Sequence, residues 1–330
     1  MANVDVVTGH MKQVIPQIDI SALANAESPA RRATDAALQE ALKDIGFAYV
    51  SGHGIAQGDI ERVRETGKRF FALPDEAKRR YAQNRWHRGY MIPKSSTIVT
   101  SSVAKVTKPN QSESFMAMHD LPPDDPDVLA DAPLAGPNQW PDEIPELEPV
   151  CLGYMAAMRA LSTRLVRSIA RGFDLPETYF DRAFERPTEF LRLLHYWPQE
   201  PEEDLYGAAP HTDYGFITLV AQDAVGGLEV RGRDGQWIAA PPIPGTFVLN
   251  VADILARWTG GVFVSTPHRV RNLSGEERYS QPYFFDPSMH TTVAPIEEIG
   301  GGIDFEPVRY GDYLMARLDK NYAYRQKMAG

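Results

Sequence analysis

Apolar residues recur at three- and four-residue intervals through much of the first half of the chain and in short, closely spaced runs in the second. Ile15-Pro16-Gln17-Ile18-Asp19 alternates with a period of two and predicts a short strand. Ala33, Ala37, Leu38, Ala41, Leu42 and Ile45 then fall on one helical face, and Gly46 is placed to end that helix. Phe47-Ala48-Tyr49-Val50 reads as a strand closed by Ser51-Gly52-His53-Gly54. A second helix is expected over 59–72 and a short one over 74–81. The longest helical signal comes later. Val150, Tyr154, Met158, Leu161, Leu165 and Ile169 form one stripe, as in a helix that backs a sheet. From 189 onward the pattern shortens. Strands are predicted at 190–197, 216–221, 227–230, 236–239, 246–250, 269–272 and 279–285. Gly226-Gly227, Asp234-Gly235, Pro244-Gly245, Gly260-Gly261 and Ser274-Gly275 supply the turns between them. Short strands at this density predict a sandwich or jelly roll. A helix over 311–326 closes the chain.

One segment breaks both rhythms. Eight prolines lie within 121–149 among acids and glycine, so neither helix nor strand is expected to persist there. The segment reads as a surface crossover; the alternative is a loop that borders an active site. The expected division is 1–148, a helix and strand region that includes the crossover, and 149–330, the backing helix, strand-rich core and terminal helix, packed as one compact unit.

Composition narrows the function classes. An apolar fraction of 43% over 330 residues fills a sizeable core. A net charge of -10 argues against a nucleic-acid backbone as partner, because that contact needs clustered Lys and Arg. Cys151 is the single cysteine, so no intrachain disulfide forms, which fits a reducing cytoplasm. The N-terminal MANVDVVTGHMKQ carries Asp5 and lacks the apolar core of a signal peptide. No apolar run reaches the roughly 18 residues that a membrane helix needs. Neither nucleic acid nor membrane is therefore the partner expected. The sequence does not fix the oligomeric state.

His211-Thr212-Asp213 stands just before a predicted strand. On an extended backbone, residues two apart point the same way, so this imidazole and carboxylate can converge on one ion. His268 enters a later strand through Ser265-Thr266-Pro267-His268. Two histidines and a carboxylate make a facial triad, a set that binds Fe(II) and leaves positions open for substrates. A His-x-Asp pair alone is a weak signal. Arg278-Tyr279-Ser280 strengthens it, because Arg278 and Ser280 share a face of the following strand. A guanidinium with a neighbouring hydroxyl receives a carboxylate. A surface ion pair is the plain alternative, but this strand is otherwise apolar and aromatic (Tyr279, Tyr283, Phe284, Phe285).

The ordered set His211-x-Asp213, His268 and Arg278-x-Ser280 resembles the isopenicillin N synthase-like family of Fe(II)/2-oxoglutarate-dependent dioxygenases, in the style of its bacterial and fungal members. The likeness spans nearly the whole chain: IPQIDIS, IGFAYVSGHGI and RFFALPDEAK at the start; RGYMIP, ESFMAMHDLPPDDP and GPNQWP in the middle; LRLLHYWPQ and HTDYGFITLVAQDAVGGLEV in the core. It implies a mainly β fold with flanking helices, the double-stranded β-helix or distorted jelly roll. It implies His211, Asp213 and His268 as metal ligands, and Arg278 and Ser280 on the distal carboxylate of 2-oxoglutarate. Tyr196 matches a region that supplies a further cosubstrate contact, although HYWP stands here where relatives often have two prolines. His195 is read either as a contact to the site or, in preference, as a structural histidine, and Asn250 in VLNVAD is assigned a structural role. For the primary substrate, the resemblance points to Tyr214, Phe284 and Arg192, with Tyr90 and Phe115 packed over the mouth.

The implied cofactors are Fe(II), the cosubstrate 2-oxoglutarate and dioxygen (O2), with ascorbate as reductant in the test tube. The implied reaction couples decarboxylation of 2-oxoglutarate to succinate and CO2 with hydroxylation, desaturation or ring closure of a small metabolite. Secondary metabolism is the expected setting. Two alternatives stay open on the same fold. One is an oxidase that uses no 2-oxoglutarate, since isopenicillin N synthase keeps an Arg-x-Ser pair for its substrate; the other is ethylene formation. A jelly-roll binding module without catalysis is the alternative from another class.

Overall fold

The computed structural model describes residues 14–322 and Arg325. The N-terminal stretch read above for a signal peptide, and part of the helix predicted over 311–326, lie outside the described residues. In chain order the elements are β1 (Gln17–Asp19), α1 (Pro29–Asp44), β2 (Phe47–Ser51), α2 (Gln57–Phe71), α3 (Asp75–Arg79), β3 (Gly89–Met91), β4 (Ser112–Met118), α4 (Pro126–Leu129), α5 (Leu147–Gly172), β5 (Thr188–Tyr196), β6 (Ala208–His211), β7 (Ile217–Gln222), β8 (Leu228–Arg231), β9 (Trp237–Ala239), β10 (Phe247–Val251), α6 (Asp253–Trp258), β11 (His268–Val270), β12 (Arg278–Asp286), β13 (Thr292–Val293), β14 (Val308–Arg309) and α7 (Tyr310–Asn321).

Two sheets carry the site. The larger has the order β1-β2-β10-β7-β12-β5-β4-β3 and the smaller β6-β11-β8-β9. They pack face to face: Leu194, Tyr196 and Val248 of the large sheet share an apolar cluster with Leu228, Val230 and Val270 of the small one. The opposite face of the large sheet is covered by α1, α2 and α5, which build the main core. This is the double-stranded β-helix with flanking helices that the sequence implied.

Local chemistry explains the element ends. Ser28 Oγ accepts the Arg31 N–H at 3.2 Å and Pro29 opens α1, a pairing suited to a helix start. Gly46 follows α1 with φ +69°, and a Cβ there would meet the Val264 carbonyl oxygen at 2.1 Å, so glycine is required. The α5 stripe is buried as its spacing predicted, from Tyr154 to Ile169, with Val150 half-buried at the edge.

The structure corrects the reading of 121–149. A short helix, α4, forms inside it, and α5 begins before Pro149. Pro126 and Pro149 both lie in a first turn, where the N–H that proline lacks has no intrahelical partner to lose. None of residues 121–149 lines the cavity described below, while Leu134, Ile144 and Leu147 are buried in the main core. Five strands and two helices had not been predicted: β3, β4, β6, β13, β14, α4 and α6. Among the described residues, no helix is long and apolar enough to cross a membrane.

Candidate active site

Strands β6 and β11 are antiparallel neighbours, and their register sets His211 directly opposite His268. The two ring centroids are 4.4 Å apart. Asp213 lies just beyond β6, where its carbonyl accepts the N–H of Asp253 at the start of α6, at 2.9 Å. Each histidine Nε2 stands 3.8 Å from Asp213 Oδ1. One ligand-type atom from each of the three residues lies within 4.8 Å of the others.

The second polar atom of each residue is already engaged. His211 Nδ1 is 2.7 Å from the Ala209 carbonyl, and His268 Nδ1 is 3.2 Å from the Thr266 carbonyl. A carbonyl only accepts, so both Nδ1 atoms carry the proton and both Nε2 lone pairs are free. Thr218 Oγ1 and Asn250 Nδ2 donate to Asp213 Oδ2 at 2.7 and 2.8 Å, which leaves Oδ1 facing the imidazoles. Three lone-pair donors of the types that Fe(II) takes therefore meet at one point, with supporting bonds that fix their orientation. Charge favours the same state. Burial, then repulsion from His268, lowers His211 to about 4, so its ring is neutral at neutral pH. Burial alone would raise Asp213, but the two imidazoles and the Thr218 and Asn250 bonds outweigh it and hold the carboxyl below its ordinary value.

The triad opens on a cavity of about 140 Å³ between the two sheets. Alternate residues of β12 line it (Arg278, Ser280, Pro282, Phe284 and Asp286), as do Phe190, Arg192, Leu194 and Tyr196 of β5. Arg278 is 1% exposed. Its Nη2 donates to Gln222 Oε1 at 3.2 Å and its guanidinium lies 4.9 Å from the Tyr196 ring. Its Nε and Nη1 are buried without a hydrogen-bond partner, and no carboxylate among the described residues pairs with it. A buried, half-satisfied guanidinium is costly, so this end of the cavity suits an anion from solution.

The other end is apolar and aromatic. Phe190 and Phe284 meet edge to face at 6.2 Å, beside Met116, Leu318 and Tyr322. Arg192 is the cation there, its Nε bonded to Ser114 Oγ at 3.0 Å. Tyr214 follows Asp213 and also lines the cavity.

Tyr90 and Phe115 do not reach the cavity, contrary to the sequence reading. Both are fully buried on the reverse face of the large sheet. Strand residues alternate faces, and on β4 the cavity side belongs to Ser112 and Met116. Phe115 packs on Phe70 and Trp140 instead, and the Tyr90 hydroxyl bonds Glu113. His195 also lies on that reverse face, 2.8 Å from Glu113 Oε1 and stacked on Tyr279. Asn250 was read as structural, yet its amide holds the Asp213 carboxylate. The available signal was a lone amide inside an otherwise apolar strand, opposite Thr218 in register. The cavity residues from α7 and the 92–110 loop gave no local signal.

Asp286 sits at the edge of this cavity. Its oxygens accept the Phe216 N–H at 2.7 Å and the Tyr310 hydroxyl at 2.6 Å. A Cβ on Gly215 would come within 1.7 Å of Oδ1, so only glycine fits after Tyr214. Burial pushes Asp286 from 3.8 up to about 7, against the pull of its two hydrogen bonds and with a further push from Asp213. A raised carboxyl favours the fold when protonated. Its contribution is complete below about pH 4 and is lost as pH climbs to about 7. The metal-free protein is therefore expected to melt at lower temperature as pH rises across that window. Asp286→Asn keeps an acceptor for the Phe216 N–H, can donate to the Tyr310 oxygen instead of accepting from it, and should flatten the slope. Thermal melts of both proteins at several pH values check this, and equal slopes would contradict it.

Comparison with known proteins gives a consistent picture. Residues 15–143 match the family model described as non-haem dioxygenase in morphine synthesis N-terminal, and residues 188–287 match that of the 2OG-Fe(II) oxygenase superfamily. A homoarginine-6-hydroxylase of Oryza sativa subsp. japonica is 33% identical, with 94% of this chain and 98% of that protein covered. A 2-oxoglutarate-Fe(II) type oxidoreductase of Emericella nidulans is 33% identical over 95% of this chain and 93% of its own. Among solved structures, a full-length Neurospora crassa protein in complex with alpha-KG and thymine superposes with a TM-score of 0.81. It is 29% identical, with 93% and 96% of the two chains covered.

Proposed function

The chain belongs to the 2OG-Fe(II) oxygenase superfamily, and from that premise we propose that His211, Asp213 and His268 hold its Fe(II) while Arg278 and Ser280 receive the distal carboxylate of 2-oxoglutarate. The protein is an Fe(II)- and 2-oxoglutarate-dependent oxygenase, an oxidoreductase acting on a small molecule. When bound, the metal and its cosubstrate supply the oxidising power for C–H oxidation, with succinate and CO2 as coproducts. The chain's own residues set geometry. The carbonyls of Ala209 and Thr266 fix the imidazoles, Thr218 and Asn250 fix the carboxylate, and Tyr196 stacks beneath Arg278. Apolar walls keep water from the reacting centre.

The observation that carries the cosubstrate assignment is the Arg278 guanidinium, buried with two unbonded nitrogens in the wall of the cavity that holds the triad. For the primary substrate, Phe190 and Phe284 offer flat apolar surface and Arg192 offers donors. Both Asp286 oxygens are engaged, so this end has a place for an acceptor or carboxylate and no free acid for a cation. We read the substrate as a flat or apolar body that carries an acceptor group, as thymine does. A cationic side chain such as that of homoarginine lacks a matching anion here. The test is succinate release with Fe(II), ascorbate and 2-oxoglutarate across a panel that includes thymine, an aromatic carboxylate and homoarginine. Stimulation by homoarginine alone would overturn the substrate reading.

Tyr214→Ala and Phe284→Ala remove aromatic contact from the substrate end. Loss of a buried aromatic contact is expected to raise the substrate KM about 10-fold or more. Succinate should then appear without equivalent product, while the 2-oxoglutarate KM changes little. Coupled turnover at unaltered substrate KM in both variants would place the substrate elsewhere.

A further inference from the structure

The cavity has a roof made of pieces distant in sequence, and one side chain joins them. Leu314 and Leu318 of α7, Tyr322 just after it and Ile98 from the 92–110 loop all line the cavity. Asn321, the last residue of α7, is 1% exposed. Its Nδ2 donates to the Tyr214 hydroxyl oxygen at 2.6 Å and to Thr100 Oγ1 at 2.9 Å. Its Oδ1 accepts the Thr100 N–H at 3.3 Å, and its backbone carbonyl accepts the Thr97 N–H at 3.3 Å. A backbone N–H can only donate, so Thr100 fixes which end of the amide is oxygen. The Nδ2 group therefore faces Tyr214. Tyr214 adjoins Asp213, and the Arg317 guanidinium covers its ring at 5.0 Å. Arg317 is in turn bonded to Asp253, whose N–H holds the Asp213 carbonyl.

We propose that Asn321 is a positioning residue that latches α7, the 96–100 loop and Tyr214 over the triad, and so restrains 2-oxoglutarate turnover when no substrate is bound. The proposal rests on the reading that His211, Asp213 and His268 hold the metal. Every hydrogen-bonding group of the amide is used, and all its partners lie in segments that border the cavity. A buried amide so placed specifies one closed arrangement, because any shift of the roof leaves several polar groups unpaired. With the roof seated, the apolar cavity is shielded from water. With it loose, the metal site meets solvent and dioxygen whether or not a substrate is present.

Asn321→Ala removes three side-chain hydrogen bonds and is expected to raise succinate release from 2-oxoglutarate and Fe(II), in the absence of any other substrate, by at least about fivefold, the effect of a single such bond. The 2-oxoglutarate KM should stay within about twofold, because Arg278 is untouched. Since Asn321 acts through Tyr214, the same change in a Tyr214→Phe background should add less than about twofold. Hydrogen exchange on the metal-free protein gives a readout apart from activity. Amides of 96–100, 214–216 and 314–318 should all exchange faster in the variant, while β11 keeps its protection. If Asn321→Ala fails to fold, Asn321→Leu tests the same point, since it keeps the approximate size but offers neither a donor to Tyr214 and Thr100 Oγ1 nor an acceptor to the Thr100 N–H. Unchanged substrate-free succinate release would overturn the proposal. So would multiplicative effects with Tyr214→Phe, or faster exchange confined to 96–100. A wild-type protein that releases no succinate would instead count against the metal-site reading, and the exchange pattern would still judge the latch.

Discussion

His211→Ala and Asp213→Asn are each expected to abolish Fe(II)-dependent succinate release and to lower iron content in parallel. The loss should exceed about 100-fold, the upper end for a residue that merely supports a ligand. The two substitutions probe different things. Asp213→Asn keeps an oxygen to accept from Thr218 and Asn250, so the buried hydroxyl and amide stay paired and the fold is spared. It turns the inner oxygen, which faces the imidazoles, into an NH2 group with no lone pair to give. His211→Ala removes one of the two Nε2 donors at the end of β6 and leaves the β6–β11 pairing, a backbone matter, in place. Both variants should therefore melt near the wild-type temperature of the metal-free protein. Iron measured after reconstitution, with succinate release on the same samples, checks the result. Either variant turning over at the wild-type rate with bound iron would remove that residue from the metal site.

What could be read from the sequence depended on how local the signal was. The β12 wall was legible because Arg278, Ser280 and Phe284 sit at even spacing on one strand, and a period of two sends them to one face. The histidine pair was legible as a motif, but its cause was not. His211 meets His268 through antiparallel pairing of β6 with β11, and β6, spelled Ala-Ala-Pro-His, carries no alternation and contains a proline. Strand β4 was missed for the opposite reason. Ser112, Glu113 and Ser114 are all buried, Glu113 with Lys78, Tyr90 and His195 as partners, so polar letters stand where a core strand normally shows apolar ones. Without that strand's register, Phe115 was assigned to the cavity when its neighbours Ser112 and Met116 face it. A shift of one residue reverses every side chain. The roof was illegible because α7 and the 92–110 loop reach the triad only through tertiary packing.

Arg278→Leu is the sharper test of the cosubstrate assignment, because it should leave the stability of the protein alone nearly unchanged while it removes 2-oxoglutarate binding. In the protein alone, the guanidinium is almost fully buried, bonded to Gln222 through Nη2 and unsatisfied at Nε and Nη1. Replacing a buried, incompletely paired charge with an apolar side chain of smaller volume removes a desolvation penalty, although it leaves some space beneath Tyr196 and frees Gln222 Oε1. The cosubstrate-free variant should therefore be about as stable as the wild type, against the usual expectation for a large-to-small change in a core. With 2-oxoglutarate present the order changes. If Arg278 receives the distal carboxylate as proposed, the wild type should gain a charge-assisted contact, and the variant would leave the ligand carboxylate buried without a cation. That loss is about 2–5 kcal/mol, or roughly 30- to several thousand-fold in the 2-oxoglutarate KM. The rise in melting temperature that 2-oxoglutarate gives the wild type, with Fe(II) present, should vanish in the variant. Iron binding should persist, because none of the three metal-facing atoms changes. A 2-oxoglutarate KM that stayed at the wild-type value would show that the buried guanidinium serves something else, such as the primary substrate. Iron lost along with 2-oxoglutarate binding would point to collapse of the β12 wall rather than to a missing carboxylate receptor.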